Sequence, residues 1–391
     1  MEAFFKTHAY LVEHATAPVR RALMDEINWN DRLIGIKGSR GVGKTTFLLQ
    51  YARENFSTND RKCLYLNMNN FYFQGRSLVD FAGEFHRSGG QVLLVDQVYK
   101  MQNWSAELRE CYERYPGLKI VFTGSSVMRL KDENPELNGI CTSYHLRGFS
   151  FREFINLRTG LSLSAYTLDE ILERHEIIAA NILRHVEPLM HLRPYLKHGY
   201  YPFFLEQTNF SENLIKTMNM MVEVDILHIQ QVEFKYLNKL KKLLYLLAVA
   251  GPSAPNVSQL ATDVQTSRAT VMNYFKFLSD ARLVNMIYRK GEVSAKKPAR
   301  ITLHNTNLLF AIFPRFSDDQ MLMDTFFQQN LCHTNEVYAG DRSCDFYVDG
   351  KRFRLCDCEP HRLSSDVYYL RSGLSKGHDK QIPLWLLGFL Y

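Results

Sequence analysis

Short apolar runs punctuate the first third of the chain: Leu33-Ile34-Gly35-Ile36, Cys63-Leu64-Tyr65-Leu66, Gln91-Val92-Leu93-Leu94-Val95 and Lys119-Ile120-Val121-Phe122-Thr123. Helix-period stretches separate them, as at Phe47-Leu48-Leu49-Gln50-Tyr51-Ala52. Strands of this kind alternating with helices predict an α/β unit, a parallel sheet covered on both faces. Residues 1 to 30 read as helical and lead into the first strand through Val19-Arg20-Arg21-Ala22-Leu23-Met24.

Beyond Ser150 the pattern turns helical. Ser150-Phe151-Arg152-Glu153 has the form of a capping box, in which the serine accepts from a free N–H and the glutamate bonds back. Amphipathic stretches over 168–192 and 211–236, broken at His198-Gly199-Tyr200-Tyr201-Pro202, predict an all-helical lid. A helix then runs from Lys239 through Ala250, and Gly251-Pro252-Ser253-Ala254-Pro255 breaks it. Two further helices, over 257–264 and 267–281, have helix-turn-helix spacing. In the second, Val271, Tyr274, Phe275 and Leu278 share one face, while Arg268, Thr270, Asn273 and Lys276 lie nearer the other. Leu283-Val284-Asn285-Met286-Ile287-Tyr288 and Ile301-Thr302-Leu303 are then the strands of a wing, joined by a loop containing Arg289, Lys290, Lys296, Lys297 and Arg300. Such a module can enter a DNA major groove, dock a protein or act as a spacer. The remainder reads as mixed α/β: a helix over 319–331, strands at Glu336-Val337-Tyr338 and Cys344-Asp345-Phe346-Tyr347-Val348, then the hairpin signal Asp349-Gly350 and the strand Lys351-Arg352-Phe353-Arg354-Leu355-Cys356.

The loop after the first strand carries the candidate chemistry. Gly38-Ser39-Arg40-Gly41-Val42-Gly43-Lys44-Thr45, followed by Thr46, fits the phosphate-binding pattern G-x-x-x-x-G-K-[ST] between a strand and a helix. Its glycines let backbone N–H groups curl around an anion, the helix N-terminus adds partial positive charge, Lys44 reaches the β and γ phosphates, and Thr45 offers a hydroxyl to Mg²⁺. The third strand ends at Asp96, where P-loop enzymes hold the carboxylate that supports Mg²⁺. The fourth ends in Thr123-Gly124-Ser125-Ser126, polar residues at the edge where open α/β sheets bind ligands.

Size and composition frame this reading. At roughly 150 residues per domain, 391 residues suggest two to four units. Hydrophobic content of 46% with 23% charged residues is that of a folded globular chain. A net charge of +6 permits nucleic acid as a partner without arguing for it. Seven cysteines scattered from Cys63 to Cys358 do not form a disulfide framework, and Cys356-Asp357-Cys358 with His361 lacks the spacing of a zinc site. No signal peptide is apparent and no segment approaches the ~18 uncharged apolar residues of a membrane span, so the expected location is the cytoplasm, with no membrane partner.

The phosphate loop, Asp96, the segment Val98-Tyr99-Lys100-Met101-Gln102-Asn103-Trp104, the Thr123 to Ser126 turn and Leu146-Arg147-Gly148-Phe149-Ser150-Phe151-Arg152-Glu153-Phe154 occur in a familiar order. Together with Leu303-His304-Asn305-Thr306-Asn307-Leu308 and the segment from Gln381 to Tyr391, they resemble the prokaryotic AAA-type ATPases that carry a C-terminal domain related to the restriction-endonuclease fold. The resemblance implies a P-loop AAA-type sheet over 1–157, a helical lid over 158–238, a winged helix over 239–300 and a nuclease-like domain over 301–391. It also implies ATP with Mg²⁺ as ligands of the loop, Asp96 as support for the metal, and Ser125 or Ser126 as a polar sensor near the γ phosphate.

Three positions depart from the family's pattern. Gln97 stands where the family has the acid that orients and deprotonates the attacking water, and an amide cannot accept that proton as a carboxylate can. Ile140, after Leu137-Asn138-Gly139, stands where the family has a candidate arginine finger, for which Arg129, Arg147, Arg152 or a neighbouring subunit in a homo-oligomer can substitute. Asp345 matches the first strand acid of a restriction-type site, but Phe353-Arg354-Leu355-Cys356-Asp357-Cys358-Glu359 lacks the E-x-K arrangement. The function expected is a nucleotide-dependent switch with slow ATP hydrolysis, in which Lys44, Gln97 and Ser125 face the reacting phosphate. The alternative is a DNA-binding regulator or defence-type effector that uses the winged helix and holds nucleotide as a structural ligand. The macromolecular or protein partner is left open.

Overall fold

The computed structural model describes residues 1–15, 17–128, 134–206, 209–229, 233–292, 297–313, 318–332, 334–359 and 362–391; Arg129, Lys296 and His361 lie outside the described residues. The chain divides into two compact units, Met1–Arg147 and Gly148–Tyr391.

In the first unit, α1 (Glu2–His14) and α2 (Leu23–Glu26) precede β1 (Leu33–Gly38), α3 (Lys44–Asn55), β2 (Cys63–Asn67), α4 (Leu78–Arg87), β3 (Val92–Asp96), α5 (Trp104–Arg114), β4 (Lys119–Ser125) and β5 (Thr142–His145). The five strands form one parallel sheet in the order β2-β3-β4-β1-β5. The apolar runs are strands because both sheet faces are covered: every residue of β3 is buried. The order places β4 between the loop-bearing β1 and the Asp96-bearing β3, so polar groups at the end of β4 fall between the two.

The edge strand β2 is guarded by α1, where Tyr65 N donates to His8 Nδ1 at 3.1 Å. Burial lowers the His8 pKa, consistent with a neutral ring that accepts here. The guanidinium of Arg53 on α3 caps the end of α1 through the carbonyls of Val12, Glu13 and Ala15.

The second unit runs through α6 (Phe151–Thr159), α7 (Leu168–Leu183), α8 (Pro188–His198), α9 (Phe210–Met220) with a π-helical continuation over Met221–Ile229, α10 (Leu237–Ala250), α11 (Val257–Asp263), α12 (Arg268–Asp280), β6 (Val284–Ile287), β7 (Arg300–Leu303), α13 (Thr306–Ile312), α14 (Asp319–Leu331), β8 (Val337–Ala339), β9 (Phe346–Val348), β10 (Lys351–Cys356), β11 (Val367–Arg371), β12 (Gln381–Pro383) and a 3₁₀ segment, Leu384–Phe389. Strands β6 and β7 form an antiparallel pair, and the last five form a mixed sheet in the order β12-β11-β10-β9-β8. Asp349 and Gly350, with φ of 48° and 81°, make the two-residue turn between β9 and β10. Ser150 and Glu153 make both bonds of the capping box at the start of α6.

The capping-box helix lies in the second unit, Gly148–Tyr391. The reason is packing. Phe151 meets Tyr195 of α8 and Phe389 of the terminal segment, with ring centroids 5.3 and 6.2 Å apart. The single stretch expected over 168–192 is two helices, because Pro188 opens a new one. Among the described residues no helix is long and apolar enough to cross a membrane.

Candidate functional site

The loop between β1 and α3 is shaped by its glycines. Gly41 and Gly43 have φ of 84° and 93°, and Gly43 caps α3, so the helix begins at Lys44 with its first N–H groups turned toward the loop. A side chain at Gly38 would have its Cβ 2.4 Å from the Leu146 carbonyl oxygen, so only glycine lets the strand end this close to the segment after β5. Lys44 Nζ donates to the carbonyls of Gly38 and Ser39, each at 2.8 Å, which holds the ammonium over the loop. From outside, the buried Arg21 donates to the carbonyls of Val42 at 3.2 Å and Arg147 at 2.7 Å.

Parallel register brings the rest of the site to the same edge. Ser125 pairs with Gly38, Thr123 with Ile36, and Asp96 with Asn67, so all lie at the carboxyl ends of their strands. Asp96 is 1% exposed and its carboxylate is held by three hydroxyls. Thr45 Oγ1 and Tyr65 OH donate to Oδ2 at 2.7 and 2.8 Å, and Thr123 Oγ1 donates to Oδ1. Burial, and then the Asp96 charge, push the Tyr65 pKa upward, which keeps the phenol a donor. The Thr45 hydroxyl and the Asp96 carboxylate beside it form an oxygen-only donor set of the kind Mg²⁺ selects, and the groups present fit that ion. Ser125 is buried beside the loop, and its Oγ accepts from Val127 N at 3.4 Å.

Gln97 follows Asp96 in a left-handed conformation, φ 58° and ψ 47°. A non-glycine residue there carries a cost of about 1 kcal/mol or more and persists only where its surroundings hold it. Two contacts do so: its N–H donates to Thr123 Oγ1 at 3.0 Å, and its Oε1 accepts from Tyr99 OH at 3.3 Å. Tyr99 OH in turn accepts from Arg40 Nη2 of the phosphate loop at 3.2 Å. The structure thus links Arg40, Tyr99 and Gln97 in a chain from the loop to the position after Asp96.

Sequence reasoning singled out the loop residues, Asp96, Gln97 and Ser125, and the fold gathers them at one sheet edge. It missed Tyr65, Tyr99 and Arg21 as supporting groups. The only available signal for Tyr65 was a hydroxyl inside an otherwise apolar run. Of the arginines weighed in place of Ile140, Arg152 is committed to the carbonyls of Tyr391 at 3.0 Å and Leu163 at 3.1 Å. In the second unit, Asp345 Oδ2 accepts from Leu355 N at 2.8 Å, and its Oδ1 lies 3.8 Å from Arg300 Nη2. Among the described residues no group of three or more His, Cys, Asp or Glu side chains could hold a metal ion.

Residues 30–155 match the family described as AAA domain, and residues 189–309 match a domain of unknown function, DUF8612. A curated relative, "Uncharacterized protein MJ1637" of Methanocaldococcus jannaschii, is 26% identical over 291 residues, covering 70% of this chain and 60% of its own length. Among solved structures, that of C. elegans PCH-2 aligns at 14% identity with a TM-score of 0.23, covering 71% of this chain and 66% of the other.

Proposed function

We propose that this chain, a P-loop protein of the AAA type, is a nucleotide-dependent switch that holds ATP with Mg²⁺ and hydrolyses it slowly. The loop from Gly38 through Thr46 offers backbone N–H groups and the Lys44 ammonium to the phosphates, and Thr45 with Asp96 would hold the ion. Bound there, Mg²⁺ supplies neutralising charge against the phosphate oxygens. Ser125 is suited to sense the terminal phosphate from the end of β4.

The observation that carries the reading is Gln97. It occupies the position for a water-activating acid, but its amide can orient a water through hydrogen bonds and cannot take the proton. The left-handed backbone and the Tyr99 and Thr123 contacts fix it next to Asp96, which supports a selected role for the amide.

Steady-state ATP hydrolysis by the wild type and by Gln97→Glu tests this. The expected result is slow turnover in the wild type and an increase in the variant on the order of a hundredfold, the lower end of what a positioned base contributes. Fast wild-type turnover left unchanged by the substitution would remove the argument. Lys44→Ala is expected to abolish ATP binding, and retention of binding would remove the site assignment.

The second reading, a DNA-binding regulator, draws support from α12. Its Val271, Tyr274, Phe275 and Leu278 are buried, while Arg268, Asn273 and Lys276 are exposed on the opposite side.

A further inference from the structure

A basic cleft in the second unit joins two residues of the expected wing loop, Arg289 and Lys290, to the hairpin of β8 and β9. It has a volume of about 580 Å³ and is lined by Arg289 and Lys290, just after β6, and by Ala339, Gly340, Asp341, Arg342 and Tyr347 on the hairpin of β8 and β9. Arg289, Lys290 and Arg342 are exposed, and among the described residues none of the three side chains makes an ion pair. Asp341 is the one acid in the lining, and its oxygens are already engaged. Oδ1 accepts from Ser343 N at 2.7 Å and Ser343 Oγ at 2.5 Å, and Oδ2 accepts from Tyr347 OH at 2.9 Å. Those bonds hold the Asp341 pKa well below the usual carboxylate range, so it stays ionised and turned toward its own hairpin.

The two walls are fixed to each other. Ala339 N donates to Tyr288 O at 2.9 Å, which joins the end of β8 to the residue preceding Arg289. Gly340 N donates to Asp345 O at 2.8 Å, and a Cβ at Gly340 would sit 2.1 Å from the Cys344 carbonyl oxygen. The loop is therefore pinched at its base and Arg342 is carried at its tip. Arg354 Nη2 donates to the Arg342 carbonyl at 2.8 Å and holds that tip from the neighbouring strand.

We infer that this cleft binds the sugar–phosphate backbone of a nucleic acid strand, without reading its bases. Three cations, none of them in an ion pair among the described residues, on two hydrogen-bonded walls suit a ligand with regularly spaced negative charges and no requirement for apolar burial. An acidic peptide is the competing polyanion. Such a peptide would gain affinity by adding a strand to the sheet edge at β8, but the Ala339 N–H it would need is already given to Tyr288. The inference is independent of the nucleotide site and does not require α12 to enter a groove.

Binding of the full-length protein to a fluorescein-labelled 20-base-pair DNA duplex and to a single-stranded 20-mer, followed by anisotropy between 50 and 200 mM salt, provides the test. Removing three phosphate contacts with Arg289→Ala, Lys290→Ala and Arg342→Ala together is expected to weaken binding at least tenfold at low salt. It should also reduce the slope of log K against log salt by about two to three, since each contact contributes roughly 0.7 to 0.9. The single reversal Arg342→Glu, at an exposed position, should weaken binding while leaving the thermal unfolding midpoint unchanged. The inference is overturned by absence of binding at 50 mM salt, or by a salt slope that the triple variant leaves intact. It is equally overturned if Arg268→Ala with Lys276→Ala lowers the slope where the triple variant does not, or if poly-glutamate displaces the DNA as well as unlabelled DNA does.

Discussion

Asp324 on α14 has a side chain 3% exposed with Arg300 Nη1 2.6 Å away, yet burial outweighs the ion pair and pushes its pKa up to about 6. The native state therefore keeps a proton that the unfolded chain releases near pH 4, and the stability from this protonated group is present below the unfolded value and lost as pH rises through about 6. Asp324→Asn, which cannot titrate, is expected to gain on the wild type by roughly 2–3 kcal/mol between pH 4 and 7, and by nothing further above that. Urea unfolding of both proteins across this range measures the gap, and a pH-independent gap would contradict the assignment. No feature of the sequence pointed to Asp324, because its burial and its partner both come from the packing of α14 against β7. The candidate site divides along the same line. Gly38 to Thr46 was legible because a phosphate loop is contiguous and local, and Asp96 because it ends an apolar run. Tyr65, Thr123 and Tyr99 meet Asp96 or Gln97 only after the strands assemble, so their roles as supports could not be read along the chain.

At the scale of elements, α13 shows how a short helix is locked in place. Asn305 Oδ1 caps it by accepting from Leu308 N at 3.2 Å. Asn307, fully buried, receives Tyr200 N at 2.9 Å and donates to the carbonyls of Tyr195 at 3.1 Å and Leu196 at 2.8 Å. One amide thus serves three backbone groups around the end of α8. Asn307→Ala would leave buried polar groups without that partner, each costing about 1–3 kcal/mol, so a loss on the order of 3–5 kcal/mol is expected. Asn305→Ala, chiefly the loss of a cap, should cost about 1 kcal/mol. Guanidinium unfolding midpoints compare the two, and an Asn307→Ala loss no larger than that of Asn305→Ala would refute the ranking. The elements themselves were largely visible in the sequence: the capping box of α6, the Asp349-Gly350 hairpin and the buried face of α12 all follow from spacing. The tie from α13 to α8 spans more than a hundred residues and has no periodicity to reveal it.

For the whole molecule, the proposed switch makes a demand that binding alone does not. A ligand shifts a conformational equilibrium only by its difference in affinity for the two states, and each tenfold preference supplies about 1.4 kcal/mol. In such a switch, ATP at Gly38 to Thr46 must bind the chain more tightly when the second unit, Gly148–Tyr391, is in one state than when it is in another. Hydrogen exchange on the full chain reads this directly. ATP with Mg²⁺ is expected to slow exchange over 38–46 and 96–100, and to change it in at least one segment beyond Arg147. Lys44→Ala should lose both effects together, because both originate at the phosphates. Gln97→Glu, measured with a non-hydrolysable ATP analogue, should retain both, since the substitution alters the handling of water rather than the cradle. Protection confined to the first unit in the wild type would leave nucleotide binding intact but eliminate the switch, and the first unit would then be holding its ligand as a structural element.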